Sequence, residues 1–62
     1  MTFNSYTVAV PEDVTNIAEW AINWCTGESQ IMHGGLGAVV RVADPGEFTH
    51  PDAEFIGQEV TE

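Results

Sequence analysis

The chain has 62 residues, of which ten are Asp or Glu and only one, Arg41, is basic, so its formal net charge is −9. Its length allows one domain, and its 44% apolar residues distinguish it from disordered chains. So negative a surface repels phosphates, which argues against direct binding to nucleic acid or membranes and favours a basic partner.

The compartment predicted from the sequence is the cytoplasm, or the host cytoplasm if the chain is encoded by a phage. Cys25 is the only cysteine, which excludes an intramolecular disulfide and is typical of a reducing environment. No stretch approaches the roughly 20 apolar residues of a membrane span, and the first ten residues lack the features of a signal peptide. We therefore expect a soluble protein.

The first predicted element is a strand over residues 3–10. Tyr6, Val8 and Val10 alternate onto one face, while smaller residues occupy most of the positions between them. A period of two is typical of a half-buried strand. We therefore expect this apolar face to contact the core.

A helix is predicted next, over residues 11–26. Pro11 is tolerated in a first helical turn, and Glu12 and Asp13 place negative charge at the positive end of the helix dipole. Gly27 supplies the left-handed conformation that commonly ends a helix. Six apolar residues recur every three or four positions and form one stripe, which predicts packing against a sheet. They are Val14, Ile17, Ala18, Ala21, Trp24 and Cys25.

Two short strands are predicted at residues 30–33 and 38–43. The glycine-rich residues 34–37 between them are suited to a hairpin turn, so we expect the two strands to pair antiparallel. Asp44, Pro45 and Gly46 form a turn by composition and end the second of these strands.

The last segment, residues 44–62, is acidic and contains no base. Its carboxylates predict a directed negative patch, and they are Asp44, Glu47, Asp52, Glu54, Glu59 and Glu62. The segment either adds an edge strand around residues 55–60 or forms a loosely held tail anchored by Phe48 and Phe55. The predicted fold is a single α+β domain over residues 1–62. One amphipathic helix packs on a small, mostly antiparallel sheet of three to four strands in β-α-β-β order.

No residue pattern indicates catalysis, a cofactor or a metal. Neither Ser5 nor Ser29 lies in a glycine-flanked nucleophile elbow, and Cys25 belongs to the apolar stripe near a helix C-terminus, where a thiolate is disfavoured. His33 and His50 are seventeen residues apart and match no compact metal-ligand spacing. The glycine-rich turn precedes a strand rather than a helix, unlike a phosphate-binding loop. The sequence therefore predicts a protein that is not an enzyme.

Three segments, residues 5–10, 18–20 and 37–42, read Ser-Tyr-Thr-Val-Ala-Val, Ala-Glu-Trp and Gly-Ala-Val-Val-Arg-Val. Their order resembles the small inhibitor of bacterial RNA polymerase from T7-like phages. The resemblance covers about half the chain and implies a fold of one helix and three strands that binds the polymerase and obstructs its handling of DNA. The family uses basic residues of its final strand, and Arg41 alone lies at a matching place here.

Acidity and size together predict an inhibitor that mimics DNA. Carboxylates at surface spacing would occupy the basic nucleic-acid-binding surface of a polymerase, a CRISPR effector or another DNA-processing enzyme, as an anti-CRISPR protein or a phage host-takeover protein does. A partly exposed aromatic residue on the helix would act as an anchor. The predicted partner contacts are Glu12, Glu19, Trp20, Asp44, Glu47, Asp52, Glu54 and Glu59.

Two other interpretations remain open on the sequence. One is a small interaction module or adaptor that homodimerises through Trp20, Ile22 or an exposed strand edge. The other is a domain adapted to a high-salt cytoplasm, in which an acidic surface without lysine says nothing of a partner. A salt-insensitive dimer would favour the first, and unfolding at low salt would favour the second.

Overall fold

A computed structural model of the protein describes residues 1–34 and 37–61. The elements are β1 (Thr2–Ala9), α1 (Ile17–Ile22), β2 (Ser29–Gly34), β3 (Gly37–Ala43) and β4 (Glu54–Val60). The strands form one antiparallel sheet in the order β2-β3-β1-β4, so β3 and β1 are inner strands and β2 and β4 are edges. The fold is α+β with one short helix. Its chain order, β-α-β-β-β, has one strand more than the predicted β-α-β-β order.

The core lies on one side of the sheet, which we call the covered face. The even-numbered residues of β1 and β3, which include the register partners Val8 and Ala38, lie on this side. A helix residue and a loop residue pack against them. The buried cluster consists of Val8, Ala21, Ala38, Val40, Val42 and Phe48. The covered face is therefore closed by two different pieces of chain, α1 and the loop that precedes β4.

The helix is much shorter than the predicted span of residues 11–26. Asn16 has an extended backbone and caps the first turn, where its side-chain oxygen accepts a hydrogen bond from the Glu19 N–H at 3.1 Å. The Asn16 side-chain amide also donates to the Glu19 carboxylate at 3.4 Å. Because a cap residue lies outside the helix, α1 begins at Ile17 and residues 11–16 form turns instead.

The C-terminal part of the predicted helix is not helical, because it pairs with the loop before β4. Cys25 forms a β-bridge with Phe48, and the Thr26 N–H donates to the Glu47 carbonyl at 2.9 Å. The Cys25 N–H still donates locally, to the Ile22 carbonyl at 3.2 Å, but the Trp24 carbonyl accepts from the Thr49 N–H at 2.9 Å. The chain therefore leaves the helix for pairing with a distant segment, and α1 ends at Ile22. Gly27 has the predicted positive φ, 77°, but it follows this paired segment and does not end the helix.

Three members of the predicted apolar stripe lie outside the core and the residues packed against it, namely Val14, Ala18 and Trp24. Ala18 is exposed, and Trp24 retains 37% of its surface. The stripe holds best at its centre, where Ala21 is fully buried and Ile17 is partly buried against the core. The interpretation of six residues as one buried helical stripe was therefore wrong, because Ala18 is exposed and three of the six residues lie outside α1.

The strands after the helix agree with the predictions more closely. β2 and β3 pair antiparallel, with Gly34 opposite Gly37; the turn prediction also covers residues 35 and 36, which lie outside the described residues. The chain turns at Asp44 and Pro45. Gly46 is buried there, and the position requires glycine because a Cβ atom would clash with the Thr26 carbonyl oxygen. The predicted turn thus also permits a close approach between two loops.

The acidic last segment ends in an edge strand, which is the first of the two predicted alternatives. β4 pairs antiparallel with β1, and a register shift between Ser5 and Tyr6 leaves Ile56 opposite no residue of β1. Of the two predicted anchors, Phe48 is buried, whereas Phe55 is 59% exposed. Within the described part of the chain, no helix has the length and apolar character needed to cross a membrane.

Candidate binding surfaces

Every acidic side chain that the structure describes is exposed, and none is part of the core. These residues are Glu12, Asp13, Glu19, Glu28, Asp44, Glu47, Asp52, Glu54 and Glu59, while Glu62 lies outside the described residues. Exposed carboxylates stay hydrated and retain their charge without a desolvation cost. The negative charge of the chain is therefore available at its surface.

The single basic side chain, Arg41, is held on the face of the sheet opposite the covered face. Its guanidinium donates to the Glu59 carboxylate at 2.8 Å and to the Gln30 side chain at 3.2 Å. It also lies 4.8 Å from the centre of the Phe3 ring, in a cation–π contact. Arg41 thus links all four strands, and the predicted partner contact Glu59 is engaged within the molecule.

The predicted contacts of the last segment lie at opposite ends of the sheet. Asp44 follows β3 and lines a surface recess with Glu28. Asp52 and Glu54 line a different recess, together with residues from the end of β1. Because β3 and β4 run parallel to each other on either side of β1, the end of one lies far from the start of the other. The prediction of one directed patch was wrong, since the carboxylates are distributed along the molecule.

The helix does not bring Glu12 and Glu19 onto a common face. Glu12 lies in the turn before α1, whereas Glu19 is in its first turn beside Trp20. The Glu19 carboxylate is held by the Asn16 amide, which fixes its position at the surface. Glu47, in contrast, uses only its backbone to pair with Thr26 and leaves its carboxylate exposed.

An aromatic cluster centred on His50 joins the helix to the loop before β4. The His50 ring lies 5.2 Å from Trp20, 4.7 Å from Trp24 and 6.0 Å from Phe48, between ring centres. The Asp52 N–H donates to His50 Nδ1 at 3.0 Å, which fixes the orientation of the ring. Trp20 is half-buried in this cluster, which leaves part of the predicted anchor accessible.

Aromatic contacts continue from this cluster to the edge of the sheet. Tyr6 of β1 lies 6.0 Å from Phe48 and 5.6 Å from Phe55, the latter in an edge-to-face arrangement. Sequence reasoning missed this row because its members come from four separate segments. The one available signal was the density of aromatic residues in a short chain.

The outer strand β4 carries the densest group of exposed apolar side chains. Phe55, Ile56 and Val60 are 59%, 55% and 73% exposed, respectively. Sequence reasoning proposed a strand here but did not identify these residues as a surface. Scattered exposed apolar residues are ordinary, but three in one edge strand form a candidate protein contact.

The single cysteine, Cys25, is a partly buried free thiol. The Cys25 thiol donates to the Ala21 carbonyl at 3.3 Å. Burial raises the pKa of this thiol, and the neighbouring Ser29 hydroxyl offsets part of the rise. A raised pKa reduces the thiolate fraction at neutral pH. Residues 1–34 and 37–61 also contain no cluster of three or more side chains suited to hold a metal ion.

Comparison of the chain with protein-family models, with curated proteins and with solved structures gives no match. The resemblance to phage inhibitors of RNA polymerase therefore stays a prediction from three sequence segments. Any functional proposal depends on the surface chemistry of this chain itself.

Proposed function

We propose that this chain is a non-enzymatic acidic binding protein that occupies a basic nucleic-acid-binding surface of a target enzyme as a DNA mimic. The observation that carries this proposal is the exposure of all nine described carboxylates on a body whose single Lys or Arg side chain, Arg41, is paired with Glu59. A surface of this kind attracts strongly positive clefts and repels phosphates. Polymerases, CRISPR effectors and DNA-processing enzymes have such clefts because they must neutralise DNA.

The shape of the molecule supports mimicry of a nucleic-acid strand. Its principal extents are 36, 19 and 19 Å, so it is an elongated body. Nine net negative charges spread over 36 Å correspond to one charge per 4 Å of long axis. One strand of DNA carries a phosphate about every 3.4 Å along the helix axis. The average charge spacing of the protein thus approaches that of a single strand.

The placement of the carboxylates also favours binding. Glu54 and Glu59 belong to a paired strand, and Asp44 and Glu47 flank a turn that packs on the Thr26 segment. Charges held on an ordered backbone lose less conformational entropy on binding than charges on a flexible tail. The fold therefore presents its charge in a preorganised form.

The proposal is tested by displacement of DNA from candidate targets. A fluorescent duplex is bound to bacterial RNA polymerase, to a Cas9–guide complex or to a restriction endonuclease, and its anisotropy is followed as the protein is added. We expect the protein to displace DNA from its target, with an affinity that falls by about tenfold or more between 50 and 200 mM salt. Failure with all three enzymes would contradict the proposed classes of target.

Two controls separate the arrangement of charge from charge alone. A variant with Asp44→Asn, Glu47→Gln, Asp52→Asn and Glu54→Gln should lose most of the displacement, whereas full displacement by this variant would contradict the proposal. A polyglutamate peptide of nine residues matches the net charge without the fold. Equal potency of that peptide would show that the folded arrangement contributes nothing.

A further inference from the structure

The outer strand β4 has an unpaired side along its seven residues. It pairs with β1 on one side, and within the described residues no strand pairs with the other side. Such an edge presents N–H and C=O groups that can accept another strand. Soluble proteins commonly protect an edge with lysine or proline, and β4 contains neither. Its protection consists of the register shift at Ile56 and two carboxylates.

The two faces of β4 differ in chemistry. By register with β1, Phe55 and Val60 lie on the covered face, and Glu54 and Glu59 lie on the opposite face. A strand added beside β4 would alternate its own side chains between the same two faces. One set would contact apolar side chains, and the other set would contact carboxylates.

We propose that the β4 edge receives, by strand addition, an extended segment of the target in which basic and apolar residues alternate. This inference depends on the proposed function, because it assigns the partner segment within a basic target. Lysine or arginine side chains would lie beside Glu54 and beside the exposed part of Glu59, whose other contact is with Arg41. Aliphatic side chains would lie beside Phe55 and Val60. Backbone hydrogen bonds supply affinity in this mode of recognition, and the alternation supplies specificity.

Charge distinguishes this occupant from a second copy of the chain. Two β4 strands paired with each other would bring together strands that each carry Glu54 and Glu59, on bodies that each have a net charge of −9. Like charges across a strand pair are destabilising. The other edge, β2, exposes Met32 but contains no carboxylate within Ser29–Gly34, so it has no comparable preference for a basic segment.

The test uses a peptide probe of defined chemistry. An acetylated peptide Lys-Val-Lys-Val-Lys-Val-Lys is compared with a peptide of the same composition in blocks, Lys-Lys-Lys-Lys-Val-Val-Val. We expect the alternating peptide to bind about tenfold more tightly and to slow amide hydrogen exchange in β4, as followed by NMR, because only alternation matches both faces. Equal affinities, or protection of β2 instead of β4, would overturn the inference.

Matched variants at the two edges provide a second readout. Ile56→Lys and Met32→Lys each replace an exposed apolar edge residue, 55% and 54% exposed, and each makes the same change in net charge. We expect Ile56→Lys to weaken the alternating peptide by about tenfold and Met32→Lys by less than about twofold, since lysine on an edge opposes strand addition. Equal losses would show that only net charge matters and would overturn the inference. If one variant fails to fold, the hydrogen-exchange measurement on the unaltered chain still tests the inference.

The DNA-displacement assay separates failure of this inference from failure of the proposed function. Full displacement by Ile56→Lys, together with loss of displacement in the variant with four neutralised carboxylates, would overturn strand addition and leave DNA mimicry in place. Displacement unaffected by either change would overturn both. A mass in solution of twice the monomer, with β4 protected in the absence of peptide, would identify a second copy as the occupant and also overturn the inference.

Discussion

Strands β3 and β4 both have seven residues and both pair antiparallel with β1, yet they differ completely in burial. In β3, Ala38, Val40, Val42 and Ala43 are buried, whereas no residue of β4 is. β4 is not short of apolar material, since it contains Phe55, Ile56 and Val60. Position in the sheet, rather than composition, therefore decides which strand forms the core and which remains available to a partner.

The difference follows from what covers the sheet. The α1 helix contacts the β2 side, and Phe48 fills the centre of the covered face, where it lies beside Tyr6. A helix of six residues is too short to reach across four strands, because it rises only about 9 Å. Among the residues that the structure describes, the outer strand is consequently left with one aromatic contact, between Tyr6 and Phe55.

The sharpest test of this comparison replaces two phenylalanines that contact the same tyrosine ring. Phe48→Ala should lower the free energy of unfolding by about 3–5 kcal/mol, because it leaves a cavity in the core. Phe55→Ala should lower it by about 1 kcal/mol, since it removes one exposed aromatic contact. Urea denaturation followed by tryptophan fluorescence measures both values.

The loss of stability expected for Phe48→Ala is comparable to the total stability of the domain. At typical values per residue, 62 residues correspond to a total stability of about 3–9 kcal/mol. We therefore expect Phe48→Ala to be largely unfolded at physiological temperature, which thermal unfolding by circular dichroism will show. Equal effects of the two substitutions would contradict the division between a core centred on β3 and a peripheral β4.

A second pair of substitutions compares a packed loop with the free edge of β2. An added methyl group at Gly46 would lie 2.6 Å from the Val42 side chain and would clash with the Thr26 carbonyl, whereas Gly34 has no atom within 4 Å of that position. Gly46→Ala should cost about 3 kcal/mol through overpacking. Gly34→Ala should change stability by less than about 0.5 kcal/mol. Similar midpoints of urea denaturation for the two variants would exclude the close approach of the loops.

The smallest expected effect concerns the ion pair between Arg41 of the inner strand β3 and Glu59 of the edge strand β4. Glu59→Gln should lower stability by about 0.5 kcal/mol, because Arg41 loses its partner on a partly exposed surface. Glu54→Gln removes a carboxylate with no such partner among the described residues and should leave stability unchanged or slightly raised. Urea denaturation in low and high salt should show the Glu59 effect decrease as salt screens the pair. A greater loss from Glu54→Gln would contradict this assignment.

Local sequence patterns predicted the strands better than the helix. The alternation in residues 3–10 and the valine-rich run after the glycines correspond to β1 and β3, and the antiparallel pairing of β2 with β3 is confirmed. The helix was overpredicted because the prediction depended on apolar spacing and did not use the N-cap at Asn16, which ends the helix on its N-terminal side. Periodicity also does not reveal that Cys25 pairs with a distant loop.

For the candidate binding surfaces, too, some properties follow from the sequence and others only from the tertiary structure. The sequence by itself determined that the surface is acidic, because ten carboxylates in 62 residues cannot all be buried. Only the tertiary structure decided that Asp44 and Glu54 lie at opposite ends of the sheet, that Arg41 neutralises Glu59, and that β4 keeps a free edge. Charge and local periodicity are properties of neighbouring residues in the chain. Strand order and the reach of the helix depend on contacts between distant segments, which local patterns do not encode.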